Sequence, residues 1–307
     1  MNQKNQKKVV VTGGAGFIGS NLVRTLLKKG YEVHVVDNYA GGRFPQRISE
    51  DAIYHEGDIN DSNLLREVFK DTDFVFHTAA LPSVPYSLEY PHETNEVNAK
   101  GTLSVLKAAK EGGVKKVIYS ASSAAYGDQT SMPLVETMEA RPQSPYALQK
   151  YIGELYSTLF ATVYGLRTVS LRYFNVYGPH ADPNGPYALV IARFIQQRAN
   201  GEPMTIAGDG TNTRDYTHVS DVVRANIFAA ENDSVGNGEV INIGGGKNIS
   251  VNEVAAAVGG PTITVEPRLE PKHSLADTSM AKELLGWEPS VSFEEAIAEL
   301  KREAGIA

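Results

Sequence analysis

Residues 8–19 read Lys8-Val9-Val10-Val11-Thr12-Gly13-Gly14-Ala15-Gly16-Phe17-Ile18-Gly19. The unbroken apolar run predicts a parallel strand buried on both faces. Gly13, Gly16 and Gly19 follow at a spacing of three, and Leu22, Leu26 and Leu27 then predict a helix to about Lys29. Strand, glycine turn and helix is the setting in which backbone N–H groups and a helix N-terminus cradle a pyrophosphate. The next predicted strand, Tyr31 to Val36, runs into Asp37. A carboxylate some twenty residues after the glycines suits the ribose hydroxyls of an adenine dinucleotide and favours NAD over NADP. Arg43 nearby counts the other way.

The alternation continues outward. Ile53–Glu56, Phe74–His77, Lys116–Ser120 and Thr168–Arg172 read as further strands, with helices between them. That pattern predicts an α/β fold, a Rossmann-like doubly wound parallel sheet with ligands at the carboxyl ends of its strands. The strand-end residues are therefore the candidates: Gly13, Asp37, Asp58 with Ile59 to frame an adenine, Thr78-Ala79-Ala80, Ser122 in the loop after the fifth strand, and Asn175.

A second stretch, Ser144-Pro145-Tyr146-Ala147-Leu148-Gln149-Lys150, opens a helix with an N-cap serine and a proline at the first position. Leu148, Ile152, Leu155, Leu159 and Val163 recur at helical spacing. Tyr146 and Lys150 share one face, four apart. A phenol beside an ammonium can become a phenolate and take a proton from an alcohol. Free tyrosine titrates near ~10, so working near neutrality requires about 4 kcal/mol. A helix N-terminus contributes ~0.3–1 kcal/mol, so Lys150 and any other cation nearby must supply the rest.

The chain has 307 residues, a net charge of −7 and no cysteine. This excludes a disulfide framework and a thiolate zinc site, and argues against a nucleic-acid partner. There is no long apolar run, and the first residues enter a strand directly, so a cytoplasmic protein with no membrane partner is expected. The seven histidines are scattered, which predicts no metal.

The Gly13/Gly16/Gly19 spacing, Asp37, His77-Thr78-Ala79-Ala80, Asn98 with Gly101-Thr102, the Ser122 loop and Tyr146/Lys150 together resemble the extended short-chain dehydrogenase/reductase superfamily. Residues 171–178 and 208–219 are similar to its UDP-hexose 4-epimerases, in particular those acting on UDP-N-acetylglucosamine. The resemblance implies NAD as cofactor, held by Gly13, Gly16, Phe17, Ile18, Asp37, Asn38, Gly42, Asp58, Ile59, Thr78, Ala79, Ala80, Asn98, Ser120, Tyr146, Lys150 and Tyr173. It implies catalysis by Ser122, Tyr146 and Lys150. It implies a UDP-sugar held by Ser83, Val84, Ser122, Ser123, Tyr146, Asn175, Leu189, Val190, Arg214, Arg268 and Ser274. Asn175 and Arg214 would meet the diphosphate, and Leu189 and Val190 the uracil. Asp215 beside Arg214 reads alternatively as a local ion pair.

Related dehydratases carry an Asp-Glu pair where this chain has Ser123-Ala124. The implied reaction is therefore 4-epimerisation through a 4-keto sugar. The residue at the Ser274 position gates the family's pocket, and a small one admits an N-acetyl group, so UDP-GlcNAc/UDP-GalNAc and also UDP-Glc/UDP-Gal are expected. Arg268 stands one residue nearer this gate than the family pattern has it. The alternatives are a net oxidoreductase such as a nucleotide-sugar reductase, and a non-catalytic binding protein.

The expected division is a Rossmann domain of 1–176 plus about 215–248 and a smaller C-terminal α/β substrate-binding domain of about 177–214 plus 249–307. Helices are expected over Leu189–Asn200, with Ile191, Phe194 and Ile195 inward, over Asp221–Ala230, and beyond Ser279. A homodimer is implied through the Tyr146 helix and the helix bearing Leu103, Leu106 and Ala109. The same residues would equally serve an ordinary sheet-packing face.

Overall fold

The computed structural model describes residues 6–183, 189–266 and 273–306. The strands are β1 (Lys8–Thr12), β2 (Glu32–Asp37), β3 (Ile53–Glu56), β4 (Phe74–His77), β5 (Lys116–Ser122), β6 (Thr168–Tyr173), β7 (Val176–Tyr177), β8 (Met204–Ala207), β9 (Thr213–Asp215), β10 (Thr217–His218), β11 (Asn237–Ile243), β12 (Asn248–Ser250) and β13 (Thr262–Val265). The α-helices are α1 (Phe17–Lys28), α2 (Ser62–Val68), α3 (Val84–Glu89), α4 (Pro91–Asn95), α5 (Gly101–Glu111), α6 (Pro145–Tyr164), α7 (Val190–Ala199), α8 (Val219–Glu231), α9 (Val251–Val258), α10 (Ser279–Leu285) and α11 (Phe293–Glu303).

Seven strands form one sheet in the order β11–β6–β5–β4–β1–β2–β3, every pair parallel. The order reverses between β1 and β4, and a crevice at such a switch point is where ligands of open α/β sheets bind. Period-two alternation divides the sheet's side chains between two cores. Val9 and Val11 join Leu22, Leu26 and Val222 on one face, and Val10 joins Leu65, Phe69, Val105 and Leu106 on the other. Burial on both faces is why β1 reads as a continuous apolar run.

A separate core gathers Tyr177, Ile191, Phe194, Met204, Val254 and Phe293 from α7, α9, α11 and their strands. Ile191 and Phe194 point inward as the sequence predicts, and Ile195 is partly buried. Three two-stranded pairs accompany this part: β7 with β10, β9 with β12 and β8 with β13. Helix α10 packs back on the central sheet, its Ala281 and Leu285 lying in one core with Trp287. Trp287 is a packed ring whose Nε1 donates to Asp221 O at 3.0 Å. Tyr126 is also fully buried, and its hydroxyl donates to Asn242 Oδ1 at 2.8 Å. Among the described residues no helix is long and apolar enough to cross a membrane.

One strand runs longer than expected, and one face that the sequence left open is settled. Strand β5 runs on to Ser122, which pairs with Tyr173 of β6, so Ser122 ends the strand instead of lying in the loop. The apolar stripe of α6 faces outward: Leu148, Leu155, Leu159 and Val163 are 42–64% exposed, while Gln149, Lys150, Gly153, Glu154 and Ser157 are buried. Leu106 and Ala109 of α5 lie in the sheet core.

Candidate active site

The glycine turn is fitted by close approach. Gly13 has φ +73, and a Cβ there would stand 2.6 Å from Ala79 N. Gly16 precedes α1 without any side-chain cap, and the first turn holds no acid. The N–H groups of Phe17 and Ile18 thus open the helix with no competing carboxylate, which fits a pyrophosphate. Asp37 closes β2 and holds this turn in place: Oδ2 accepts from Ala15 N at 2.9 Å and Oδ1 from Tyr39 N at 2.8 Å. A carboxylate has about four lone-pair positions, so acceptor capacity remains for ribose hydroxyls.

The rest of the expected cofactor set lines the same sheet edge. Asn38 Nδ2 donates to Asp58 Oδ2 at 3.1 Å, and Gly42 N donates to Tyr39 O at 2.9 Å. Ile59 is buried against the core of α5. Thr78 Oγ1 donates to Thr12 O at 2.7 Å, which leads the chain past Ala79 and Ala80. Asn98 lies in a single π-helical turn, Glu96–Lys100, a distortion common at functional sites. Its Oδ1 accepts from Leu81 N at 2.8 Å, and its Nδ2 donates to Gln149 Oε1 at 2.9 Å. Asn98 therefore ties the loop after β4 to α6. Ser120 Oγ and the Tyr173 hydroxyl lie 3.1 Å apart, and Tyr173 also donates to Asn226 Oδ1 at 3.0 Å.

Helix α6 starts as its sequence dictates. Ser144 Oγ accepts from Ala147 N at 3.1 Å, and Pro145 takes the first position. Tyr146 N, an orphan donor of the first turn, finds Ser87 Oγ of α3 at 3.1 Å. The Tyr146 phenol lies next to the Ser122 hydroxyl. Burial pushes this phenol above its ordinary pKa, and the nearby Ser122 hydroxyl opposes that. Lys150 is buried one turn on, its Nζ 4.5 Å from the Tyr119 ring centroid. Burial lowers its pKa to about 7, with Glu154 pulling the other way. Of the two sources the sequence reading allowed for, Lys150 and another cation in the site, Lys150 does not bring the phenol below its ordinary range.

Around this pair lie residues that sequence reasoning missed. His77 is sandwiched between Thr12 Oγ1 at 2.7 Å and Thr102 Oγ1 at 3.0 Å. Burial, then Lys150, drives its pKa down to about 3, so it adds no charge. The Tyr119 hydroxyl donates to Lys150 O at 3.2 Å. Glu154 and Arg172 form a buried two-pronged ion pair, Nε to Oε1 at 2.9 Å and an Nη to Oε2 at 2.7 Å. Glu154 had a signal: it lies four residues past Lys150, on the same helix face. Gln149, Ser87 and Arg172 had none, because their partners are remote in sequence.

Beyond β6 the sugar-side candidates converge. Asn175, in a left-handed conformation at φ 31, donates from Nδ2 to Asp215 O at 2.9 Å and to Ser274 Oγ at 3.3 Å. Ser274 N donates to Thr213 O at 3.2 Å, beside Arg214, and an Arg214 Nη also donates to Thr213 O, at 2.9 Å. The Asp215 carboxylate bonds to backbone N–H groups. Ser123 opens the short turn after Ser122, Ser83 is buried as the cap of α3 with Val84 exposed after it, and Leu189 and Val190 start α7. Arg268 lies outside the described residues. Among the described residues no cluster of three or more His, Asp or Glu is placed to hold a metal ion.

The chain matches the model of the NAD dependent epimerase/dehydratase family over residues 9–244. It is 37% identical over 308 residues to the UDP-glucose 4-epimerase of Mycolicibacterium smegmatis, covering 95% of this chain and 96% of that one. The solved UDP-N-acetylglucosamine 4-epimerase of Methanobrevibacter ruminantium, in complex with UDP-N-acetylmuramic acid, is 40% identical with a TM-score of 0.91, covering 97% of both chains. The UDP-glucose 4-epimerase of Thermus thermophilus, solved with NAD, is 35% identical with a TM-score of 0.88 and covers 97% of this chain and 99% of that one. The site just described thus sits on a fold shared nearly end to end with such enzymes, and the chain belongs to the NAD dependent epimerase/dehydratase family.

Proposed function

We propose that this protein inverts carbon 4 of UDP-hexoses, taking UDP-GlcNAc/UDP-GalNAc and also UDP-Glc/UDP-Gal. The observation that carries the reading is the Ser122 hydroxyl at the end of β5 next to the Tyr146 phenol, with Lys150 buried one turn on along α6. Relatives named for either sugar stand at similar identity, so the choice of sugar rests on the small side chain of Ser274 beside Asn175.

NAD fits the uncapped α1 N-terminus and the Asp37 carboxylate; when bound, it supplies reversible acceptance of the hydride from carbon 4 and, oxidised, the extra positive charge the buried phenol needs. Tyr146 removes the proton from the 4-hydroxyl, and Ser122 hydrogen-bonds the same oxygen. Lys150 would hold the nicotinamide ribose and, protonated, favours the phenolate. Asn175 and Arg214 hold the diphosphate while the 4-keto sugar turns over. Arginine suits this because its fork bonds two oxygens at once. The hydride then returns to the opposite face of carbon 4 as the proton returns from Tyr146 to the 4-oxygen, so no net oxidation occurs. Ser123-Ala124 offers no carboxyl group for removing water.

Residues 1–176 with about 215–248 would hold NAD, and the remainder the UDP-sugar. The exposed Leu148, Leu155, Leu159 and Val163 stripe of α6 supports a homodimer, in which a second copy covers it. We place the enzyme in the cytoplasm.

The test is proton NMR of the purified protein with UDP-GlcNAc and with UDP-Glc, without added NAD and then with it. Formation of the galacto epimer from UDP-GlcNAc supports both reaction and gate. Conversion of UDP-Glc alone keeps the reaction and refutes the gate; silence in every arm refutes the reaction.

A further inference from the structure

Asp215 takes no part in the mechanism above, yet its side chain is fully buried and carries three backbone N–H groups from two distant segments. Oδ1 accepts from Gly245 N at 2.5 Å, and Oδ2 accepts from Ala276 N at 2.9 Å and Gly246 N at 3.3 Å. Its backbone is engaged too. The N–H donates to Ser274 Oγ at 3.4 Å, and the carbonyl accepts from Asn175 Nδ2.

The Gly244-Gly245-Gly246 run that leaves β11 is shaped to this carboxylate. A Cβ on Gly244 would stand 2.7 Å from Asp215 Oδ2 and 2.4 Å from the Ala276 Cβ. On Gly245 it would stand 2.2 Å from Tyr216 O and 3.1 Å from Asp215 Oδ1. The side chain therefore reaches three places at once: the end of the central sheet, the strand bearing Arg214, and the segment bearing Ser274.

We propose that Asp215 is the positioning residue of the sugar pocket, its carboxylate buckling the Ser274 segment and the Gly244–Gly246 turn to the strand of Arg214 so that gate and diphosphate ligand are set as one unit. This rests on the UDP-sugar reading given above. An ionised carboxylate only accepts, and has room for all three N–H groups. Asparagine has the same shape but one acceptor oxygen, and its NH2 must face at least one of those N–H groups. A buried donor left unmade is costly enough to shift the whole segment.

The experiment measures steady-state epimerisation and bound NAD in Asp215→Asn. KM for UDP-GlcNAc is expected to rise about tenfold, with kcat within about threefold of wild type and NAD content unchanged. A wild-type KM, or a loss confined to kcat, overturns the inference. Should Asp215→Asn fail to fold, Gly245→Ala lifts the turn from the other side and must raise KM in the same way; an unchanged KM there overturns it equally. A wild-type protein that converts neither UDP-sugar refutes the functional reading. An active wild type whose KM survives the substitution refutes the positioning role alone.

Discussion

Replacing Glu154 with Gln perturbs two things at once, and the structure gives each a size. The carboxylate takes both prongs of Arg172, at 2.9 and 2.7 Å, with side chains 2% and 5% exposed. Removing one partner of such a buried pair leaves an uncompensated charge and costs about 3–5 kcal/mol. The glutamine keeps one acceptor oxygen for Arg172, which places the loss at the low end of that range. A loss of ~3 kcal/mol should lower the melting midpoint by roughly 5 °C. The second effect is electrostatic. Burial holds Lys150 near a pKa of about 7, and Glu154 is the group pulling it up. Without that carboxylate, and with Arg172 still charged, Lys150 loses its proton at lower pH. The alkaline limb of the epimerisation profile should therefore move to lower pH in Glu154→Gln. The paired change Glu154→Leu with Arg172→Met restores much of the stability, since an apolar pair of similar volume often replaces a buried ion pair at no cost. It should leave the limb shifted. A lowered melting point with an unmoved limb would show that Glu154 only braces the fold, and the coupling to Lys150 argued here would be wrong.

Tyr146→Phe removes one hydroxyl and keeps the ring and the backbone bond to Ser87, so epimerisation should fall ~10²–10⁴-fold with NAD still bound; near-wild-type turnover sinks the mechanism. Ser274→Tyr should lose UDP-GlcNAc and UDP-GalNAc and keep UDP-Gal, and an unchanged preference in a competition assay means the gate lies elsewhere. His77 is buried and neutral, its pKa moved from 6.5 to about 3, so the unfolded chain binds the extra proton first. Its contribution is full above the ordinary histidine value and lost as pH falls toward 3, by about 2 kcal/mol between pH 7 and 5. Urea melts at those two pH values should show a shallower loss in His77→Gln than in wild type, and equal losses refute this. Leu155→Lys with Leu159→Lys should yield a monomer by light scattering; a persistent dimer places its interface away from α6.

What could be read from the sequence was local chemistry. The glycine turn, Asp37 at the end of β2, and the Ser144 cap with Pro145 each declare themselves within a few residues, and the parallel strands declare themselves by unbroken apolar runs. What could not be read was contact across the sheet. Asp215, taken alternatively as the ion-pair neighbour of Arg214, spends its carboxylate on Gly245, Gly246 and Ala276, the last of them 61 residues away. The state of Tyr146 depends on burial, which no spacing reveals.

Helix α6 shows why periodicity found the element but not its inner face. A leucine stripe normally marks the side that packs inward. Here the inward side carries Gln149, Lys150, Gly153, Glu154 and Ser157, because that side must meet Asn98, Tyr119 and Arg172 next to the site. Once the chemistry claims the inner face for polar groups, the apolar positions that keep the helix amphipathic are left facing outward. An exposed apolar stripe of this kind commonly marks an interaction surface. The same demand that buries Lys150 thus exposes the stripe on which the proposed homodimer rests. Substitutions on the outer face should lower activity through α6 only as far as they loosen Gln149 and Glu154 from their partners, a coupling that hydrogen exchange along this helix would read directly.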